Sequence, residues 1–145
     1  MSQRIDTRVA QRCAWVQIRR TDRVITQFYS EILAPSGLNA TQFALLATLA
    51  EIAPTTIHRF AEIMDMERTT LIRNLEVLNR QHLVQSQTGE DRRSRPVHLT
   101  AEGFEALQNA WPVWQEACTR VERILGQDHF DNLLMDLTAI RVAIR

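Results

Sequence analysis

Between Thr100 and Gly126, seven apolar residues follow one another at alternating steps of three and four: Phe104, Leu107, Trp111, Trp114, Cys118, Val121 and Leu125. That period belongs to a helix with an unbroken apolar seam, the pattern that packs against other helices knobs-into-holes. Thr100-Ala101-Glu102-Gly103 opens this helix and Gly126 closes it. Pro112 lies inside it and should kink it or leave one turn unpaired. A last helix follows, with Phe130, Leu133, Leu137, Ile140 and Ile144 in helical period. The start of the chain has the same character. Ile5, Val9, Cys13 and Val16 form one stripe, Val24, Phe28 and Ile32 resume it, and Pro35-Ser36-Gly37 ends it.

Four glycines, four prolines and an apolar share of 45% describe an ordered globule of one domain or two merged subdomains. No apolar run approaches the roughly 20 residues that cross a bilayer, and the first residues lack the apolar core of a signal peptide, so a cytoplasmic location is expected. Cys13 and Cys118 are the two cysteines, too few and too far apart for a disulfide framework or a zinc site. The formal net charge is zero. It is unevenly spread: residues 1–30 carry six Arg against Asp6 and Asp22, whereas residues 101–145 carry four Arg against seven acids. A nucleic acid responds to the local field rather than to the sum.

The middle of the chain carries the functional pattern. Asn39-Ala40-Thr41-Gln42 opens a second helix with Asn39 as cap and Gln42 three residues on. After Pro54-Thr55-Thr56 come two short helices with a turn near Asp65 and Met66. The first runs from Thr56 to Met64, with Ile57, Phe60, Ala61 and Met64 inward. The second spans about 67–81 and buries Leu71, Leu75 and Leu78, while Thr69, Arg73, Glu76 and Arg80 point the other way and Thr70 lies on the flank. A helix with one oily face and one face of hydroxyls and guanidiniums suits the major groove of DNA, where Arg bonds guanine and Thr bonds bases or touches the thymine methyl. In a helix-turn-helix the start of the second helix meets the bases, which selects Arg68, Thr69, Thr70 and Arg73. An ordinary amphipathic pair with a solvated face is the competing reading of this segment taken alone. Next come two alternating runs, Leu83–Gln87 and Pro96–Leu99, predicting a two-stranded hairpin over about 83–99. Its tip reads Glu90-Asp91-Arg92-Arg93-Ser94-Arg95. Arg92, Arg93 and Arg95 crowded at a turn suit phosphates or the narrow minor groove, and Asp91 serves as a brace for a neighbouring arginine.

Three strings in order resemble the MarR family of winged helix-turn-helix regulators over essentially the whole chain: Gly37-Leu38-Asn39-Ala40-Thr41-Gln42-Phe43-Ala44-Leu45-Leu46, Met66-Glu67-Arg68-Thr69-Thr70-Leu71-Ile72-Arg73-Asn74-Leu75, and Asp91-Arg92-Arg93 leading to Leu99-Thr100-Ala101-Glu102-Gly103. The resemblance implies a mainly α (α+β) fold. Residues 1–34 and 101–145 would form a helical dimerisation region, and residues 38–100 a winged DNA-binding head. It implies a homodimer on a pseudopalindromic double-stranded operator, with groove and phosphate contacts from Arg68, Thr69, Thr70, Arg73 and Asn74, and a minor-groove or backbone role for Arg92 and Arg93. Thr56, Asp91 and Arg95 complete the expected DNA-facing set. Asn74 lies nearer the buried stripe than the groove by its helical angle. The family often has Gly at the turn inside the helix pair and at the turn before the wing. Asp65 and His82 stand there, both tolerant of left-handed backbone.

The resemblance also implies release of DNA by a small aromatic or anionic effector bound where the long helices meet the head. Trp15, Arg19, Phe43 and Trp111 are the candidates, with Trp114 beside them in the cleft and Arg19 or Arg20 receiving a carboxylate. Interface packing is the alternative role for the tryptophans. Some family members sense peroxides through a cysteine near the start of the first helix. Cys13 sits two residues from that place, which Trp15 occupies, and the accompanying tyrosines are here Ala40 and Phe43, so thiol sensing stands as an alternative to a structural role. Cys118 is expected in the core. His58, His82, His98 and His129 lack metal-ligand spacing, and no catalytic motif is found; no metal, cofactor, enzymatic activity or membrane partner is expected. A dimeric interaction module that has lost DNA binding, and a small enzyme or ligand carrier built around the tryptophan cleft, are the remaining alternatives.

Overall fold

The computed structural model describes residues 8–86 and 96–144. Seven helices and three short strands follow in the order α1 (Arg8–Gln11), α2 (Ala14–Leu33), α3 (Ala40–Ile52), β1 (Thr55–Thr56), α4 (Ile57–Ile63), α5 (Arg68–Arg80), β2 (Val84–Ser86), β3 (Pro96–Leu99), α6 (Ala101–Leu125) and α7 (Gln127–Ile144). A single 3₁₀ turn, Ala34–Ser36, links α2 to α3 and ends at Gly37, whose φ of 80° requires the freedom of glycine.

The helix ends follow the sequence closely. Asn39 and Gln42 form a reciprocal capping box: Gln42 N–H donates to Asn39 Oδ1 at 2.9 Å and Asn39 N–H to Gln42 Oε1 at 3.0 Å. Thr56 caps α4 by accepting from Arg59 N–H at 3.2 Å, and Thr100 caps α6 by accepting from Gly103 N–H at 3.0 Å. Asp65 (φ 51°) and His82 (φ 59°) take the left-handed conformation at the two turns where glycine would be the easier choice. α6 runs without interruption through Pro112, and Gly126 (φ 78°) ends it.

Three features differ from the sequence reading. The first helix is not continuous: the chain breaks at Arg12-Cys13, and Cys13 becomes the exposed cap residue of α2 rather than a member of an apolar stripe. The hairpin gains a third strand. Thr55 pairs with Val97 and Thr56 with Pro96, so the antiparallel order is β1-β3-β2 with β3 central. The apolar seam of α6 is divided. Gly103, Leu107, Ala110 and Ala117 are buried within the chain, while Phe104, Trp111 and Leu125 remain exposed. The helix therefore packs on the head along a stripe one residue ahead of the seam at several turns.

The core sits in the head. Leu33, Leu38, Phe43, Leu45, Leu46, Leu49, Phe60, Leu71, Leu75, Leu78, Val84 and Val97 are all buried, joined by Leu107 and Ala110 of α6. The last turn of α2 and the first three turns of α6 thus help to build the head as well as leaving it. Beyond that core the long helices are largely uncovered, with Ala117 of α6 the exception. α7 has no buried residue, and Leu133, Leu134, Leu137, Ile140 and Ile144 are exposed along it. No single described helix is long and apolar enough to cross a membrane.

Candidate nucleic-acid interface and ligand groove

Leu71, Leu75 and Leu78 bind α5 to the core, with α4 packed beside it through Phe60 and Ala61. Anchoring one stripe fixes the rotation of the helix, because residues three and four apart share a face. Arg68, Thr69, Thr70, Arg73, Glu76 and Arg80 are therefore all exposed. Neither Arg68 nor Arg73 has an ion pair with another described residue. Asn74 is half-buried and donates its amide to the Thr70 carbonyl at 2.9 Å, which turns the side chain back along its own helix. Thr56 is half-buried and committed to capping α4. The structure thus brings Arg68, Thr69, Thr70 and Arg73 onto one open face and sets Asn74 and Thr56 at its margin. Asp91, Arg92, Arg93 and Arg95 lie outside the described residues.

α4 carries Arg59, His58 and Glu62 on its outer side, with both bases 3.4 Å from the Glu62 carboxylate. Arg141, near the end of α7, reaches Asp65 in the turn between α4 and α5 at 3.7 Å. Such exposed pairs contribute little to stability, from nothing to about 1 kcal/mol.

The second feature is a groove of about 300 Å³ between α2, α3 and α6, lined by Ile25, Thr26, Tyr29, Leu33, Ala40, Phe43, Ala44, Ala47, Thr48 and Trp114. Its aromatic wall is a stack. Phe43 and Trp114 lie 5.2 Å apart at 24°, and Trp111 adjoins Trp114 at 4.9 Å. No lining side chain is charged. Tyr29 donates its hydroxyl proton to Cys118 Sγ at 3.5 Å. Burial first, and then the contact with Cys118, push the Tyr29 phenol above its ordinary value, so it stays neutral. Cys118 is half-buried and accepts a hydrogen bond, rather than lying in plain core.

Of the four residues expected to line an effector site, Phe43 lies in the groove and Trp111 adjoins it through the stack. Trp15 and Arg19 do not line it. Trp15 is 70% exposed and Arg19 is exposed, because only the C-terminal part of α2 packs on the head and the earlier turns run past it. Trp114, a candidate for the cleft, lines the groove, which also takes in Tyr29, Thr26 and Thr48; these three were not singled out by sequence, because their facing partners come from other helices and no local period reveals them. Among the described residues no group of three His, Cys, Asp or Glu is placed to hold a metal ion.

A family model described as a winged helix DNA-binding domain matches residues 38–103. The transcriptional regulator MosR of M. tuberculosis, solved in complex with DNA, is 37% identical, with 92% of this chain and 98% of that one covered and a TM-score of 0.79. A mutant MarR from E. coli, complexed with operator DNA, superposes with a TM-score of 0.82 over 95% of this chain and 99% of the other, at 18% identity. The uncharacterized HTH-type transcriptional regulator YwoH of Bacillus subtilis (strain 168) is 34% identical over 86 residues, 59% of this chain. The chain spans 63% of the length of that curated relative.

Proposed function

The chain belongs to the MarR family of winged helix-turn-helix transcriptional regulators, and from that premise we propose that it acts as a homodimeric, operator-binding repressor released by a small ligand. It is a sequence-specific DNA-binding regulator. The observation that carries the reading is the face of α5: Arg68, Thr69, Thr70 and Arg73 stand exposed on a helix whose opposite stripe is locked into the core. Guanidiniums and hydroxyls in that register meet base edges in the major groove, and Arg92, Arg93 and Arg95 supply phosphate or minor-groove contacts from the wing. Two heads are needed to span two half-sites. The bare apolar stripe of α7 and the exposed Phe104, Trp111 and Leu125 of α6 support pairing with a second copy, since water-facing apolar surface of that extent marks an interaction site. The reading places the protein in the cytoplasm and includes no catalysis.

The groove between α2, α3 and α6 is the proposed effector site. Its uncharged, aromatic lining favours a compact neutral aromatic over an anion, with the Tyr29 hydroxyl as its polar partner. A rise in head spacing on binding would weaken DNA affinity, provided the ligand prefers one spacing.

Selection of duplexes from a random pool, followed by titration at two salt concentrations, tests the function. A selected duplex should bind far more tightly than a scrambled one, with affinity falling steeply as salt rises. Equal binding of both duplexes would remove the sequence-specific reading. For the groove, the probes are 2-naphthol and benzoate. Tryptophan fluorescence should respond to 2-naphthol and not to benzoate, through the Trp114 and Trp111 pair.

A further inference from the structure

Gln42 is 8% exposed, and the residues around it on α3 are Phe43, Leu45, Leu46 and Leu49. Its side-chain oxygen closes the capping box with Asn39. A glutamate serves that purpose equally well. The amide adds a donor that glutamate lacks, and Nε2 spends it on Gln81 Oε1, 3.3 Å away. Gln81 is the residue that ends α5. The next two residues are gripped from α6: Thr100 Oγ1 donates to the His82 carbonyl at 2.6 Å, and Thr100 N–H to the Leu83 carbonyl at 3.2 Å. Gly103 permits this closeness, since a Cβ built there would collide with the Leu83 carbonyl oxygen. The other end of α5 is different. Glu67 makes no side-chain cap bond, and Arg68, Thr69 and Thr70 are exposed.

The leucine stripe, with Leu71 buried one turn from Arg68, fixes the rotation of α5 about its axis, and the hydrogen-bonded corner after Arg80 sets the tilt of that axis. We propose that the corner Gln81–Leu83 is the fulcrum of α5, and that Gln81, tied to Gln42, is a positioning residue that sets the angle at which Arg68, Thr69, Thr70 and Arg73 meet base edges. The inference rests on the reading of α5 as the DNA-reading helix. α5 is about 20 Å long at 1.5 Å per residue, so a tilt of about 3° at the corner moves Arg68 by about 1 Å. Hydrogen bonds to bases lose their geometry over such a distance. Contacts to phosphates carry no sequence information and are made by long, adaptable side chains, so they persist. Gln81 therefore acts on discrimination more than on affinity for DNA in general.

The test uses the full-length protein, a duplex selected from a random pool, and a scrambled duplex of equal length and composition. Gln81→Ala should weaken binding to the selected duplex by about three- to tenfold and leave the scrambled duplex within about twofold. Gln81→Met, equal in length but without the acceptor, should behave alike and separates loss of the hydrogen bond from loss of packing. Gln81→Glu still accepts from Gln42 Nε2 and should restore the ratio, its added charge weakening both duplexes together. An unchanged ratio in Gln81→Ala and Gln81→Met, an equal loss on both duplexes, or a Gln81→Glu protein that discriminates no better than Gln81→Ala would overturn the proposal. A parent protein that does not discriminate at all would instead refute the reading of α5 itself.

Discussion

The winged head and the helical arm treat apolar side chains in opposite ways. Leu71, Leu75 and Leu78 on α5 are buried, and Leu133, Leu137 and Ile140 on α7 follow a similar helical period yet lie open. The head closes on itself, with capped helices and a shared core. The arm keeps the pattern of a packed helix, yet no residue of α7 is buried by the described residues of its own chain. Helical period therefore tells which residues will be covered, and the connectivity of the fold decides by what.

Breaking the arm should have the largest consequence. Leu137→Asp places a charge in the apolar stripe of α7 and should leave the head folded while splitting the dimer, as sedimentation would report. Operator affinity should fall by at least about a hundredfold, because the second head no longer binds as part of one molecule. A dimer that survives this change would remove α7 from the interface. Breaking the head is the converse experiment. Leu71→Ala should cost about 2–5 kcal/mol of stability in urea unfolding, the range for a truncated core leucine. If it instead cost as little as a surface change, the head would not be the self-contained unit described above.

Two finer changes sharpen the comparison within the head. Arg73→Ala should lose about 1–3 kcal/mol on the operator and relax specificity, whereas Arg93→Ala should weaken every duplex similarly and lower the salt slope by about one. Binding titrations on selected and scrambled duplexes separate the two patterns; identical behaviour would merge α5 and the wing into one electrostatic surface. The smallest effect concerns the junction of head and arm. Tyr29 is held neutral above the ordinary phenol value of 10.0. Its contribution is fully present below that pH and is lost as pH rises further, because the unfolded chain ionises first. Tyr29→Phe should flatten the decline of melting temperature above about pH 10.

Much of the head was readable along the chain because its determinants are local. A cap needs a side chain and an N–H three residues apart, which is why Asn39-Gln42 and Thr100-Gly103 announce themselves. Asp65 and His82 were marked by the family resemblance rather than by local sequence, and both take the left-handed backbone expected there. The face of α5 followed from Leu71, Leu75 and Leu78 alone. What failed to show was decided at a distance. Thr55 and Thr56 are a strand only because Val97 and Pro96, some forty residues later, pair with them. The break at Cys13 has no glycine or proline to signal it. The groove joins Tyr29, Phe43 and Trp114 from three helices, and nothing in one helix foretells the other two. Trp15 and Arg19 lie outside this groove for the same reason: sequence placed them on a helix, but not on the turns that touch the head.

The central position of β3 has a mechanical consequence. Its hydrogen bonds join β2 on one side and, on the other, the two residues that run directly into α4. β3 is consequently geared to the first helix of the pair that carries α5. Force applied along β3 would travel through Val97 and Thr55 into α4, so that the two parts respond in step. Lengthening the hairpin would alter its reach while leaving that gearing intact; cutting the Thr55–Val97 pairing would uncouple the two.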